Sequence, residues 1–330
     1  MHLTTQLLFV LYSLRFNTLS SFTFAQQFFL MSVLQLQNVV KNFATVRALD
    51  GVSFEVEKQS IFGMLGPNGA GKTTSIRIIT TIFRQDTGEV LFNGEKLRES
   101  HAEQMGYMPE ERGLYKKMKV WEQLVYLAQL KGLSHRDAKK KVFDWLEKFE
   151  IKDWWNKKVM DLSKGMSQKI QFIVTILHEP KLIILDEPFS GLDPVNSKLI
   201  EEEIQNLRQK GATIIFSTHR MEQVEEICEN IILINKGKVV LNGKVSEIKQ
   251  QFKKHEYSFH YSGVLPQLPD RFPVIRKLDH EMIVKIDANS SGNDLLRELI
   301  NQRVEVTSFN EVLPSLNEIF IEQVEGKSHE

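Results

Sequence analysis

A single cysteine, Cys228, stands in 330 residues, so no internal disulfide can hold this chain. Its apolar neighbour Ile227 suits a buried helix position better than a reactive thiol, and a reducing cytoplasm is the compartment this usage fits. Net charge is missing as well. The 42 Lys and Arg balance 42 Asp and Glu, which removes the molecule-wide positive field that favours nucleic acid, and no nucleic-acid partner is expected. Long apolar runs are absent too. The longest near the N-terminus, Leu7 to Tyr12, falls far short of the ~20 residues of a membrane-spanning helix, so the polypeptide is not expected to cross a bilayer alone. There is no internal repeat and no low-complexity tract. What remains is an ordinary globular composition, 42% hydrophobic and 25% charged, which argues against disorder. Its length suits roughly two domains of ~100 to 200 residues each.

Residues 1–30 look only weakly like a signal peptide. Thr23-Phe24-Ala25 resembles a cleavage site, but no Lys or Arg precedes Leu7. A mis-set start or a disordered extension is the preferred reading, with Met31 as the first residue of the domain, because strand-like alternation begins at Ser32. A short peripheral membrane anchor ranks below it. Residues 31–250 then read as one domain. Two alternating stretches between Val33 and Val56, flanking Phe43 and a turn expected at Asp50-Gly51, predict an antiparallel pair. Residues 115–178 predict a helical insert, with Leu124, Leu127, Val142, Leu146 and Phe149 at helical spacing. Leu182 to Leu185 and Thr213 to Phe216 are apolar throughout, as strands buried on both faces of a parallel sheet are. In residues 251–330 three alternating stretches surround one helix, Asp294 to Asn301, which predicts a small α+β domain.

The stretch Gly66-Pro67-Asn68-Gly69-Ala70-Gly71-Lys72-Thr73 matches G-x-x-x-x-G-K-[ST] and follows the apolar run Ile61 to Leu65. After it Ile76, Ile79 and Phe83 recur at helical spacing. In that context backbone N–H groups close around phosphate oxygens, the helix start adds its positive end, and Lys72 reaches the outer phosphates. Thr73 offers a hydroxyl to Mg²⁺, and Thr74 completes the set. Asp186 and Glu187 follow the run Leu182 to Leu185, just past a strand end, where open α/β sheets place their ligands. Asp186 suits Mg²⁺, directly or through water. Glu187 suits the polarisation of a water that attacks a γ-phosphate. The simpler reading, an acid pair capping a turn before Pro188, is outweighed by the P-loop.

Three further stretches fall in order: Leu162-Ser163-Lys164-Gly165-Met166, Ser190-Gly191-Leu192-Asp193 and Ser217-Thr218-His219. They look like the LSGGQ-type signature, the D-loop and the switch histidine of ABC transporter nucleotide-binding subunits. The chain resembles that family from about Val33 to Gly243. The Pro109-Glu110-Glu111-Arg112-Gly113-Leu114-Tyr115 stretch and the extra C-terminal domain look like ABC-2 type exporters, including sodium-export and drug-export ATPases. The resemblance implies an α/β fold, the P-loop NTPase of ABC ATPase type, with a parallel-sheet core, an antiparallel β lobe and a helical insert. It implies ATP and Mg²⁺ as cofactors, and ATP hydrolysis that powers export through a separate membrane-spanning subunit at the cytoplasmic face of the cell membrane. Two copies would pair head to tail, so that ATP on one P-loop meets Ser163 and Gly165 of the other, at a helix start rich in N–H groups. His219 would hydrogen-bond the γ-phosphate, and Phe43 would stack on adenine.

The chain departs from the family pattern at two places. Lys164 and Met166 replace the usual Gly and Gln of the signature, leaving Ser163 and Gly165 intact. Glu110 stands where the family usually has a glutamine; a carboxylate ligates Mg²⁺ but, ionised, donates no hydrogen bond. A GTPase would need N-K-x-D, whereas Asn235-Lys236-Gly237 is followed by Lys238. Soluble ABC ATPases acting on ribosomes are the alternative class; they resemble two cassettes in one chain, and one is present here. The basic runs Lys116-Lys117 and Lys139-Lys140-Lys141 read as solvated faces, and Trp154-Trp155 as packing of the insert, with a surface toward a membrane subunit as the alternative for both.

Overall fold

The computed structural model describes residues 32–111, 113–263, 267–287 and 290–325. Residues 1–30, with their expected start at Met31, lie outside the described residues. The chain divides into two compact units between Asn242 and Gly243. The edge strand of the large sheet runs on to Lys244.

In the first unit β1 (Ser32–Phe43) and β2 (Val46–Glu57) pair antiparallel. Their turn is at Ala44 and Thr45, not at Asp50-Gly51. Between the pairs Val39 with Val52 and Lys41 with Leu49, β2 carries one extra residue. Gly51, at φ 74°, absorbs that bulge, so a sequence that signals a turn serves as a kink within a strand. Strand β3 (Ile61–Leu65) leads to helix α1 (Lys72–Ile79), after which β4 (Thr87–Phe92) and β5 (Glu95–Lys96) extend the first sheet in the order β2-β1-β4-β5. Strand β6 (Met105–Met108) precedes a helical layer of α2 (Val120–Leu130), α3 (His135–Lys148) and α4 (Lys164–Ile176). Then β7 (Leu182–Asp186), α5 (Pro194–Gln209), β8 (Thr213–Ser217), α6 (Met221–Ile227), β9 (Asn230–Asn235) and β10 (Lys238–Lys244) follow. They complete a six-stranded sheet in the order β10-β9-β3-β8-β7-β6, parallel from β9 to β6. Every residue of β3, β7 and β8 is buried, which is why those runs are apolar without alternation.

The helical layer follows its periodicity. Ala138, Val142 and Leu146 of α3 recur every fourth residue and are fully buried, and Ser134 caps that helix by accepting the Asp137 N–H at 3.1 Å. Trp155 stacks on Trp121 with ring centroids 5.8 Å apart, so this tryptophan packs the insert. Lys141 pairs with Glu179. Cys228, just after α6, is 6% exposed, and burial pushes its thiol pKa up.

The second unit holds α7 (Val245–Gln251), β11 (Glu256–Ser262), β12 (Val274–Leu278), β13 (Glu281–Lys285), α8 (Gly292–Asn301), β14 (Glu305–Val312) and α9 (Leu316–Glu325). Its antiparallel sheet runs β12-β13-β11-β14, and Phe259, Met282 and Val284 pack with Leu295 and Leu299 of α8. Strand β12 and helix α9 were not foreseen. All five residues of β12 are exposed at the sheet edge, so no buried face imposes an alternating pattern on them.

Candidate functional site

The loop between β3 and α1 exists because two of its residues lack a side chain. Gly66 has φ 145°, and a Cβ there would lie 2.1 Å from the Ile234 carbonyl oxygen. Gly71, at φ 117°, would place one 2.8 Å from the Ala48 oxygen. The loop is braced from behind by the turn between β9 and β10: Gly237 N–H donates to Ala70 O at 2.8 Å, and Asp50 N–H to Gly237 O at 2.8 Å. The Asn235-Lys236-Gly237-Lys238 stretch is thus a hairpin turn supporting the loop.

A cleft of about 550 Å³ opens over this loop. Pro67, Asn68, Gly69, Ala70, Gly71, Lys72, Thr73 and Thr74 line it, and Glu110, Asp186, Glu187 and His219 converge on it from three other strand ends. Gly66 lies buried beneath. Phe43, Ser163 and Gly165 do not line the cleft. The Phe43 ring sits edge-on to Phe83, centroids 5.3 Å apart, and the neighbouring wall is built by Val46, Arg47 and Ala48, with Lys236 and Gly237. Those five had no motif to mark them. Ser163 and Gly165 open α4, where the exposed Ser163 caps the helix by accepting the Met166 N–H at 3.2 Å.

Lys72 is buried and donates to the carbonyls of Gly66 at 2.6 Å and Pro67 at 3.1 Å. Burial lowers its pKa, while Asp186, Glu187 and Glu110 act to raise it. Asp186, 4% exposed at the end of β7, has its pKa raised by burial, and the charges of Glu110 and Glu187 push the same way. The cleft floor therefore concentrates three carboxylates around one ammonium, a field suited to a cation beside bound phosphates. Tyr107, next to these groups on β6, is pushed up to about 12, chiefly by burial.

Glu187 sits at φ 52°, and its N–H donates to Ser217 O at 2.8 Å. Its carboxylate accepts from Thr218 Oγ1 at 3.1 Å, from the His219 N–H at 2.9 Å and from His219 Nδ1 at 2.7 Å, which puts a proton on Nδ1. The acid and the histidine named from sequence are thus in direct contact. Two buried glutamines of α4, Gln168 and Gln171, also reach this region and were not singled out, because an amide on a helix reads as solvent-facing. Gln168 Nε2 donates to the carbonyls of Glu187 at 3.1 Å and Pro188 at 2.9 Å, and Gln171 Nε2 to Pro109 O at 2.7 Å.

Comparison with known proteins identifies the family. Residues 49–190 match the ABC transporter family, and residues 243–324 match the C-terminal domain of DrrA1-3-like ATP-binding proteins. The chain is 44% identical over 293 residues, 88% of its length and 98% of the relative's, to the uncharacterized ABC transporter ATP-binding protein YhaQ of Bacillus subtilis (strain 168). It is 29% identical over 302 residues, 88% of its length and 97% of the relative's, to the linearmycin resistance ATP-binding protein LnrL of the same organism. The crystal structure of the ADP conformation of MJ1267, an ATP-binding cassette of an ABC transporter, superposes with a TM-score of 0.58 at 27% identity, covering 66% of this chain and 92% of that one. Cassettes of this kind bind and hydrolyse ATP. The chain belongs to the ABC transporter ATP-binding proteins, with a DrrA-like C-terminal domain, and is an ATPase.

Proposed function

We propose that this protein powers export through a separate membrane-spanning subunit, working as a head-to-tail pair of identical chains with ATP between them. One observation carries the pairing: the cleft is lined by Pro67 to Thr74, Asp186, Glu187 and His219, whereas Ser163 and Gly165 lie outside it at the start of α4. A second copy supplies them, and with them the N–H groups of a helix start. The outward direction is supported by the likeness to a protein named for linearmycin resistance. The partner-facing surface is drawn from α3, where His135, Arg136, Lys139 and Lys140 surround Phe143 and Trp155 in a groove of about 720 Å³. Among the described residues no helix is long and apolar enough to cross a membrane, in keeping with peripheral attachment through that partner.

In this reading Lys72 leaves the loop carbonyls for the β- and γ-phosphates, and the loop N–H groups hold the remaining oxygens. Glu187 takes the proton of the attacking water, and His219 orients that water and the γ-phosphate. Phe43, exposed at the tip of β1, stacks on a base that extends past Val46. The donor set fits Mg²⁺: Thr73, Asp186 and Glu110 bring hard oxygen atoms to one cleft. Among the described residues no three carboxylate, histidine or cysteine side chains form a metal cage, and Mg²⁺ needs only one or two carboxylates beside phosphates and water. When bound, it neutralises charge on the transferred phosphoryl group.

A mixing experiment tests the pairing. Ser163→Arg and Lys72→Met chains, each inactive alone, are expected to regain part of the ATPase rate when mixed, since one of the two composite sites is then whole. No recovery at any ratio sinks the head-to-tail pair. Glu110 is tested by its metal dependence. Glu110→Ala is expected to raise the Mg²⁺ concentration for half-maximal turnover roughly tenfold, about 1.4 kcal/mol for one lost oxygen contact. Metal-free nucleotide binding should stay unchanged, because Lys72 and the loop amides hold the phosphates independently. An unchanged Mg²⁺ curve removes Glu110 from the metal.

A further inference from the structure

Two glutamines on α4, Gln168 and Gln171, lie one turn apart and are 3% and 4% exposed. Gln168 holds the two carbonyls beside the catalytic carboxylate, Glu187 O and Pro188 O. Gln171 holds Pro109 O at 2.7 Å, the carbonyl that leads into Glu110. The helix comes this near because residue 106 is glycine: a Cβ on Gly106 would stand 2.3 Å from Thr175 O. Core packing does not account for Gln171. Its Oε1 is buried with no hydrogen-bond partner among the described residues, a half-satisfied amide where methionine or leucine would fill the same space at no polar cost. The bond from Nε2 to the Pro109 carbonyl is the one hydrogen bond this side chain makes among the described residues.

We propose that Gln171 is a positioning residue that sets the Glu110 carboxylate in the cleft through the Pro109 carbonyl. The proline ring fixes φ at residue 109, so pinning its carbonyl leaves the peptide to Glu110 little rotation. Glu110 itself is exposed and makes no hydrogen bond among the described residues, so besides this backbone hold only the charges of nearby groups such as Lys72 and Asp186 act on its carboxylate. Since α4 begins at Ser163 and Gly165, the same helix joins the surface offered to a second copy with the loops carrying Glu110 and Glu187. A shift at one end of α4 is transmitted to both carboxylates. The proposal rests on the reading of Glu110 as a Mg²⁺ ligand for its functional consequence, though not for the bond itself.

The full chain carrying Gln171→Met tests it, with Gln171→Leu as a second variant should methionine disturb folding. The NMR order parameters of the Glu110 and Glu111 amides are expected to fall from about 0.85 toward about 0.6 while the unfolding temperature holds. The Mg²⁺ half-saturation of the ATPase should move in the same direction as in Glu110→Ala, with no further shift in the double variant. Unchanged order parameters at residues 110 and 111 overturn the latch. A shifted Mg²⁺ curve in Glu110→Ala but not in Gln171→Met also overturns it, while leaving Glu110 on the metal. Should Glu110→Ala itself shift nothing, the metal reading fails and the amide order at residues 110 and 111 alone decides the role of Gln171.

Discussion

The Glu187→Gln variant is expected to bind ATP as the parent protein does and to hydrolyse it at least ~100-fold more slowly. The amide keeps the size of the side chain, and its oxygen still accepts from the His219 N–H, so the contacts at 2.9 and 3.1 Å have a partner. It cannot take a proton from water. The contact with His219 Nδ1, now at 2.7 Å, loses its charge assistance. With hydrolysis stopped and binding intact, ATP-held pairs should accumulate and elute early in size-exclusion chromatography. Phosphate release by the variant at the parent rate would take the catalytic role from Glu187.

Lys72→Met has the second large effect, and it falls on binding. Lys72 spends two hydrogen bonds on the loop carbonyls of Gly66 and Pro67, and in the proposed nucleotide complex both would be exchanged for bonds to phosphate oxygens. Charge-assisted bonds of that kind contribute about 1.5–3 kcal/mol each, so ATP affinity should fall by roughly 100-fold or more. Methionine also leaves Asp186, Glu187 and Glu110 without the cation between them, and their joint charge then repels the triphosphate. Titration with a fluorescent ATP analogue measures this directly. An affinity within about twofold of the parent's would show that the loop amides alone hold the phosphates.

What the sequence disclosed was decided by how strongly local chemistry constrains a segment. Ile61 to Leu65 and Leu182 to Leu185 were legible because strands buried on both faces favour apolar residues throughout. The phosphate loop was legible because only glycine tolerates φ 145° at residue 66 and 117° at residue 71. Strand β6 was not read as a strand: Met105-Gly106-Tyr107-Met108 is four residues with a glycine, and its place beside β7 is set by the helix passing over Gly106. Asp50-Gly51 misled because the same dipeptide suits a turn and a bulge, and only the register of β1 distinguishes them. Val46, Arg47 and Lys236 reach the cleft from segments whose local sequence has no phosphate signature. Gln168 and Gln171 were hidden for a similar reason, since their partners are backbone carbonyls 19 and 62 residues away.

Cys228 brings a practical consequence. The chain has no other cysteine, and this one is 6% exposed with its pKa raised by burial, so the reactive thiolate is scarce and shielded. The folded protein is therefore expected to react with maleimides and similar reagents far more slowly at Cys228 than at an exposed thiol. Any cysteine introduced on the surface becomes the single attachment point, with no need to remove the natural one. A fluorophore or spin label at the exposed start of α4 would report, in the unaltered background, when a second copy closes over that helix end.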